Sequence, residues 1–314
     1  MTPERGTGKY ERLLARVKEV PAISAAIAHP CDDASLVAVI EAARAGILRP
    51  ILVGPADRMR RVAKDLGIAL DQFEIENAPH SHASAARAVE LVRQGRAEVL
   101  MKGSLHTDEL MGEVVKKDTG LRTSRRVSHV FVMDVPTYHK VLTVTDAAVN
   151  IFPTLDDKRD IIQNAVDFMQ ALGIERPKVA ILSAVETVTS KIPSTIEAAA
   201  LCKMADRGQI QGGILDGPLA FDNAISEEAA RIKKIVSPVA GDPDVLMVPD
   251  LEAGNILVKN LNFLARADAA GLVLGARVPI ILTSRADNER TRMASCAVAA
   301  LYAHARRQRA DLAA

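Results

Sequence analysis

The sequence predicts an α/β protein of two lobes built on mainly parallel sheets, and three observations carry that expectation. Nine short apolar runs rich in β-branched residues recur along the 314 residues. Between them lie amphipathic stretches whose apolar positions fall three and four apart, the pattern of strands joined by crossover helices and therefore of parallel pairing. The length suits one or two packed α/β domains, and nine strands exceed one minimal sheet.

In chain order the strands are expected at 25–30, 49–55, 97–103, 127–135, 140–146, 178–184, 212–218, 244–250 and 278–284. Helices are expected over 33–45, 81–94, 156–172, 194–207 and 226–236, each strand being followed by its helix. Asp33 or Ser35 marks the first start, Ser81 the start of the helix at 81–94, and Ser194, with Glu197 three residues on, the start of the helix at 194–207. Gly46, Gly67, Gly95, Gly173 and Gly208 follow helical stretches, where a left-handed residue closes the last turn. No low-complexity linker separates the lobes. The strand count places 1–138 with 276–314 in the first lobe and 139–275 in the second.

Composition removes several classes of function. With 40 Lys+Arg against 39 Asp+Glu the net charge is +1, which speaks against nucleic-acid binding and against adhesion to an anionic membrane. Aromatic residues are 3% with no Trp, so stacking platforms for single strands or sugars are missing. Cys31, Cys202 and Cys296 are odd in number and form no Cys cluster, as in a reducing compartment, and the first twenty residues lack the apolar run of a signal peptide. No stretch of 18 consecutive apolar residues occurs, and a cytoplasmic protein is expected. The seven histidines are not at metal-ligand spacings, so no metal is expected.

Open α/β sheets bind ligands outside the carboxyl ends of their strands, and five expected strand ends run into polar turns. These are Lys102-Gly103-Ser104-Leu105-His106-Thr107, Asp146 to Asn150, Asp216-Gly217-Pro218 with Asp222 beyond, Asp250 to Asn255, and Thr283 to Asn288. Hydroxyls, amides, helix-start N–H groups and a few cations are what hold phosphate-like anions. Neither a Walker A sequence nor a complete GxGxxG fingerprint is present. Arg122, Arg125 and Arg126 precede an apolar strand, where each is either an anion clamp or part of a solvated loop. Ser284 lacks the GxSxG elbow of a serine nucleophile, and either Ser284 or Asp287 also reads as the cap of the helix that begins near Asn288. Two readings stand for the other turns as well. Lys102, Gly103, Ser104 and His106 contact a ligand or simply make the turn; Asp146 and Asn150 line the site or hold their loop; Asp250 and Asn255 receive a ligand or cap the next helix.

At these segments the chain resembles the phosphate acetyltransferase and phosphate butyryltransferase family. MKGSLHTDELM, RVSHVFVMDVP, TDAAVNIFPTLDDKRDIIQNA, DGPLAFDNAIS, SPVAGDPDVLMVPDLEAGNILVKNL and VPIILTSRADN look like its successive blocks, in order, over about residues 97–293. The resemblance implies two α/β lobes related to the isocitrate and isopropylmalate dehydrogenases, an active site in the cleft between them, and a homodimer. It implies reversible transfer of a short acyl group, acetyl before propionyl or butyryl, between coenzyme A and phosphate. Coenzyme A is then a substrate, with no bound cofactor, and its thiolate attacks the acyl phosphate directly in a ternary complex. Ser284 and Arg285 correspond to the family's Ser-Arg pair, the hydroxyl near the thiol or oxyanion and the guanidinium near the phosphoryl group or coenzyme A. Acetyl-type members place an Asp seven residues after that Ser, where this chain has Thr291; Asp287 resembles the aspartate of butyryl-type members, and the base stays open between it and a group from another block. Arg122 is favoured over Arg126 as the second arginine. Lys102, Ser104, His106, Ser128, Asp146, Asn150, Asp216 and Asn255 complete the expected substrate-binding set. Two other classes stay in view: a metal-dependent NAD(P) dehydrogenase of the same two-lobed architecture, and a non-catalytic binder of acyl-CoA or acyl phosphate, which the Thr291 departure raises.

Overall fold

A computed structural model describes residues 8–283 and 287–313. The first stretch runs α1 (Lys9–Val17), β1 (Ile23–Ala28), α2 (Asp33–Arg44), β2 (Leu48–Gly54), α3 (Ala56–Asp65), β3 (Glu74–Asn77), α4 (Ser81–Arg93), β4 (Val99–Lys102) and α5 (Thr107–Val114). It continues with β5 (Ser128–Asp134), β6 (Leu142–Thr145), α6 (Leu155–Ala171), β7 (Lys178–Leu182), α7 (Pro193–Asp206), β8 (Ile214–Leu219), α8 (Phe221–Ile225), α9 (Glu227–Ile232), β9 (Val245–Met247) and α10 (Leu251–Phe263). β10 (Asp268–Leu274), β11 (Ile280–Ile281) and α11 (Glu289–Ala313) close the chain.

These elements form two compact units. A terminal unit takes Tyr10–Arg125 and the chain from Ala270 onward, and a middle unit takes Arg126–Ala269 with Lys9. In the terminal unit the strands lie in the order β3-β2-β1-β4-β11-β10, all parallel except that β10 runs antiparallel to β11. In the middle unit the order is β5-β6-β9-β7-β8, parallel apart from the β5/β6 pair. The expected mainly parallel α/β architecture is therefore present in both.

Burial explains why the strands read as continuous apolar runs. In β1 every residue but Ser24 is buried, as in a strand covered by helices on both faces. Ile23, Ile27, Leu36, Ile40, Leu52, Leu91 and Leu100 fill the terminal core, and a fully buried side chain of this size contributes about 1.5–3 kcal/mol relative to exposure. The middle core gathers Met133, Val144, Ala180, Leu219, Leu246 and Val258.

Several local expectations are corrected. No helix separates β5 from β6: the link 135–141 is shorter than the dozen or more residues a parallel crossover needs, and the strands pair antiparallel, Val130 opposite Thr145. That pairing carries β5 into the middle unit, and the chain changes unit at 125/126 and 269/270. The helix starts shift too. Asp32, not Asp33 or Ser35, caps α2 by accepting the Ser35 amide at 2.8 Å. His80, not Ser81, caps α4, its Nδ1 accepting the Ala83 amide at 3.2 Å. α7 opens on Pro193, whose missing N–H costs nothing in the first turn, and the Ser194 hydroxyl lies 2.8 Å from that of Ser183.

Candidate active site

In the terminal unit β2 and β3 extend to one side of β1 while β4 lies on the other. This reversal makes the carboxyl ends of β1 and β4 the place where a doubly wound sheet opens a crevice. His29, just beyond β1, sits there in the left-handed region at φ 58° and is buried. Its carbonyl accepts from the Cys31 amide (2.9 Å), the Ser104 amide (2.8 Å) and the Ser104 hydroxyl (2.8 Å). Its Nδ1 lies 3.1 Å from Ser84 Oγ; because that hydroxyl donates to the His80 carbonyl, Nδ1 carries the proton. Burial, with Arg58 nearby, lowers the His29 pKa and favours the neutral ring.

The turn after β4 is fitted to this hub. A Cβ on Gly103 would lie 2.5 Å from the carbonyl oxygens of both Ala28 and His29, so only glycine allows the approach. Ser104 Oγ also accepts the Cys31 amide at 3.2 Å, which commits the hydroxyl to the turn. Lys102 is buried, its Nζ 3.3 Å from the Gly103 carbonyl. His106 is exposed at the start of α5, and its backbone N–H donates to Glu109 Oε2 at 2.7 Å. The Ser81 hydroxyl donates to Glu109 Oε1 at 2.6 Å and, as the leading cause, lowers the Glu109 pKa. Burial pushes the Cys31 thiol up to about 11, so the cysteine at this edge is held as the thiol.

Ser284 and Arg285 lie outside the described residues. Asp287 is half-buried just after them. The cap expected of Ser284 or Asp287 belongs to Asn288, whose Oδ1 accepts the Thr291 amide at 2.8 Å. Thr291 is buried in the first turn of α11, and its carbonyl accepts from Ser295 Oγ at 2.8 Å. The Arg290 guanidinium, in the first turn of α11, lies over the Tyr10 ring, 3.8 Å from its centre. Arg122 is exposed, its backbone bridged antiparallel to Ala276, and Thr123 Oγ1 donates to the Gly275 carbonyl at 2.6 Å.

The middle unit builds a second polar cluster at the carboxyl ends of β6 and β9. Asp146 is buried and accepts from the amides of Ala148 (2.9 Å), Val149 (3.0 Å) and Asn150 (3.2 Å) and from Asn150 Nδ2 (2.5 Å). Asn150 in turn donates to the Val127 carbonyl (2.9 Å) and accepts from Arg126 Nε (2.7 Å). In the basic segment the Arg126 head group joins this cluster through Asn150. Ser128 is fully buried, its hydroxyl accepting from Asn164 Nδ2 at 3.0 Å. The Asp250 carboxylate caps α10 through the Ala253 amide (2.9 Å), and Asn255 Nδ2 donates to the Ala147 carbonyl (3.4 Å). Asp216 lies apart on the edge strand β8, its carboxylate accepting from the Gly217 amide at 2.9 Å.

His29, Ser84, Glu109 and His129 are polar groups of these clusters that the sequence reading did not single out. His129 is buried with Nδ1 unpartnered, and burial lowers its pKa to about 4 against the opposing Asp146 charge. The only sequence signal at His29 is the His-Pro pair ending a strand. Among the described residues no group of three or more His, Cys, Asp and Glu side chains could hold a metal, and no helix is long and apolar enough to cross a membrane.

Mainly parallel strands with polar, glycine-bearing ends in each unit define an α/β architecture, and comparison with known proteins gives the family. A phosphate acetyl/butaryl transferase family model matches residues 80–300. A phosphate acetyltransferase of Rhizobium meliloti is 66% identical over 307 residues, covering 98% of this chain and 96% of that protein. A phosphate butyryltransferase of Clostridium acetobutylicum is 42% identical, covering 94% and 98%. The crystal structure of a branched-chain phosphotransacylase from Enterococcus faecalis V583 superposes with a TM-score of 0.80 at 31% identity, covering 90% of this chain and 99% of that one. The chain belongs to the phosphate acetyl/butaryl transferase family, and it is an acyltransferase.

Proposed function

We propose that this protein transfers an acetyl group reversibly between coenzyme A and phosphate. The observation that carries the reading is 66% identity to a phosphate acetyltransferase along nearly the whole of both chains. The 42% match to a phosphate butyryltransferase supports longer acyl groups, butyryl and propionyl, as further substrates, and we expect them to react more slowly than acetyl. The family match does not favour the dehydrogenase alternative.

The chemistry follows from the groups involved. In the direction of thioester synthesis the coenzyme A thiol loses its proton to a base, and its sulfur bonds to the carbonyl carbon of acetyl phosphate. The tetrahedral intermediate then expels phosphate with the electrons of the C–O bond. A thiol with a pKa near ~8.5 is mostly protonated at neutral pH, so a base or a nearby cation sets the rate. We assign the base to Asp287, which is half-buried and follows Ser284 by three residues in sequence, whereas Thr291 has no ionisable group at the acetyl-type position. Ser284 and Arg285 stabilise the oxyanion and the departing phosphate, the role that fixed donors play wherever charge develops. Arg122, Lys102 and His106 bind the anionic parts of the substrates, with Ser104 holding the turn; Ser128, Asp146, Asn150, Asp216 and Asn255 are binding residues of the middle unit. Arg126 joins them through Asn150.

Neither a metal nor a resident cofactor enters this scheme, and coenzyme A acts as a substrate. We further propose a cytoplasmic homodimer. Ile256 and Phe263 of α10, Leu264 just after it, and Ile151 and Phe152 ahead of α6 are exposed apolar residues of the middle unit, and the Ile151 carbonyl accepts the Leu251 amide at the root of α10. Such a concentration on one unit is the kind of surface that partners cover. Light scattering at micromolar concentration checks this: a dimer mass is expected, and a monomer contradicts it. Steady-state kcat/KM with acetyl-, propionyl- and butyryl-CoA tests the reaction itself; no phosphate-dependent release of coenzyme A from any of the three refutes it.

A further inference from the structure

At the amino ends of β4 and β11, the opposite ends of the strands from the proposed chemistry, a groove of about 420 Å³ opens in the terminal unit. Arg93, Arg277, Arg306 and Arg307 line it, with Glu98 the acidic residue among them. Arg307 engages Glu98 as a fork, Nε to Oε1 at 2.8 Å and Nη2 to Oε2 at 2.6 Å, so these two charges cancel. Three guanidinium groups then remain around one space. Arg306 gives a single long hydrogen bond, Nη1 to the Ala276 carbonyl at 3.4 Å, and its guanidinium carbon lies 5.7 Å from the centre of the Tyr302 ring. Arg93 and Arg277 are exposed, and no hydrogen bond or ion pair holds the head group of either among the described residues. A basic residue in the last turn of α4 answers the helix dipole and accounts for Arg93. It does not account for Arg277, which precedes a strand, or for Arg306, which lies well inside α11. Like charges gathered without counter-charges repel, and each planar fork matches a carboxylate or phosphate.

We propose that this groove is a second anion site, taking a small molecule with two or more oxyanion groups, carboxylate or phosphate. Its volume lies within the range of small-molecule pockets, roughly 300–1,000 Å³. The two unpartnered guanidinium groups set the minimum of two anionic groups. The site is separate from the phosphate of the reaction, which binds at the strand carboxyl ends.

Isothermal titration of the whole chain with citrate and with pyrophosphate, at about 0.1 M salt where screening reaches ~10 Å, tests the proposal and distinguishes the carboxylate from the phosphate source. Wild type is compared with Arg93→Gln/Arg277→Gln and with Arg285→Gln. Saturable binding of at least one probe is expected in the wild type, weakened about 10- to 100-fold in the double variant, the loss expected for charge-assisted hydrogen bonds. Arg285→Gln, placed at the reaction centre, keeps that binding. Turnover without added anion stays at the wild-type level in the double variant, and its unliganded melting temperature shows that it folds. No saturable binding in the wild type, equal affinity in the double variant, or loss confined to Arg285→Gln overturns the proposal. As a second variant, Arg277→Glu reverses the charge and must abolish binding; retention there also overturns it.

Discussion

Replacing Asp146 by alanine removes the acceptor that organises the loop after β6. Four donors converge on its carboxylate: the amides of Ala148, Val149 and Asn150 and the side-chain amide of Asn150. Asp146 and Asn150 are each 2% exposed, so water cannot readily take over the Asn150 donors. A buried donor left without a partner costs about 1–3 kcal/mol, and hydrogen bonds to a charged group stand at the upper end of the range. The Ala148 and Val149 amides, nearer the surface, recover part of theirs from solvent. The expected loss is therefore about 3–5 kcal/mol, at the top of what single substitutions cause. For a unit of this size that corresponds to a fall in melting temperature on the order of 10 °C. Asp146→Asn retains one acceptor oxygen but turns an NH2 group toward donors, and should lose about half as much. Differential scanning calorimetry at neutral pH measures both. A change below about 1 kcal/mol for Asp146→Ala would refute the argument that this carboxylate holds the loop.

Gly103→Ala tests the close approach of the turn after β4 to the end of β1. The new Cβ would stand 2.5 Å from two backbone oxygens, which cannot swing away as a side chain does, so a loss of about 3 kcal/mol or more is expected together with a fall in kcat/KM. Unchanged melting and turnover would show that the strand ends separate freely. His129 makes stability depend on acid. Its folded pKa of about 4 lies below the unfolded value of 6.5, so the unfolded chain binds more protons between these limits, and stability present above pH 6.5 is lost as pH falls toward 4. Urea melts from pH 7 to 4 should show a shallower acid limb in His129→Leu than in wild type; parallel limbs would contradict the assignment.

Much of the architecture is legible before any coordinates. Buried parallel strands such as β1 and β2 announce themselves as uninterrupted apolar runs because helices cover both faces. β3 escapes the same logic: Glu74 and Asn77 are exposed, and a short charged edge strand carries no apolar run, although such charges protect an open edge. β10 begins Asp-Ala-Ala-Gly, four residues with little strand propensity, so its first half carries no strand signal. At the strand ends, the positions of Lys102, Asp146 and Asn255 follow from the pattern of strand followed by polar turn. What those side chains are bonded to does not follow. That the Ser104 hydroxyl is taken by the His29 carbonyl depends on a left-handed residue 75 positions away in sequence, and no local motif encodes such a meeting. Asp250 is the converse, since a cap is a local interaction and was readable as one.

The central claim is that this acyltransferase works through Ser284, Arg285 and Asp287, on acetyl groups first. Its most direct measurement is kcat/KM for phosphate-dependent release of coenzyme A from acetyl-CoA, for wild type and for Ser284→Ala, Arg285→Gln and Asp287→Asn. Each substitution should lower kcat/KM by about 10²- to 10⁴-fold, the range for a lost oxyanion donor or general base, with the fold intact by circular dichroism. Wild-type rates in all three variants would contradict the account.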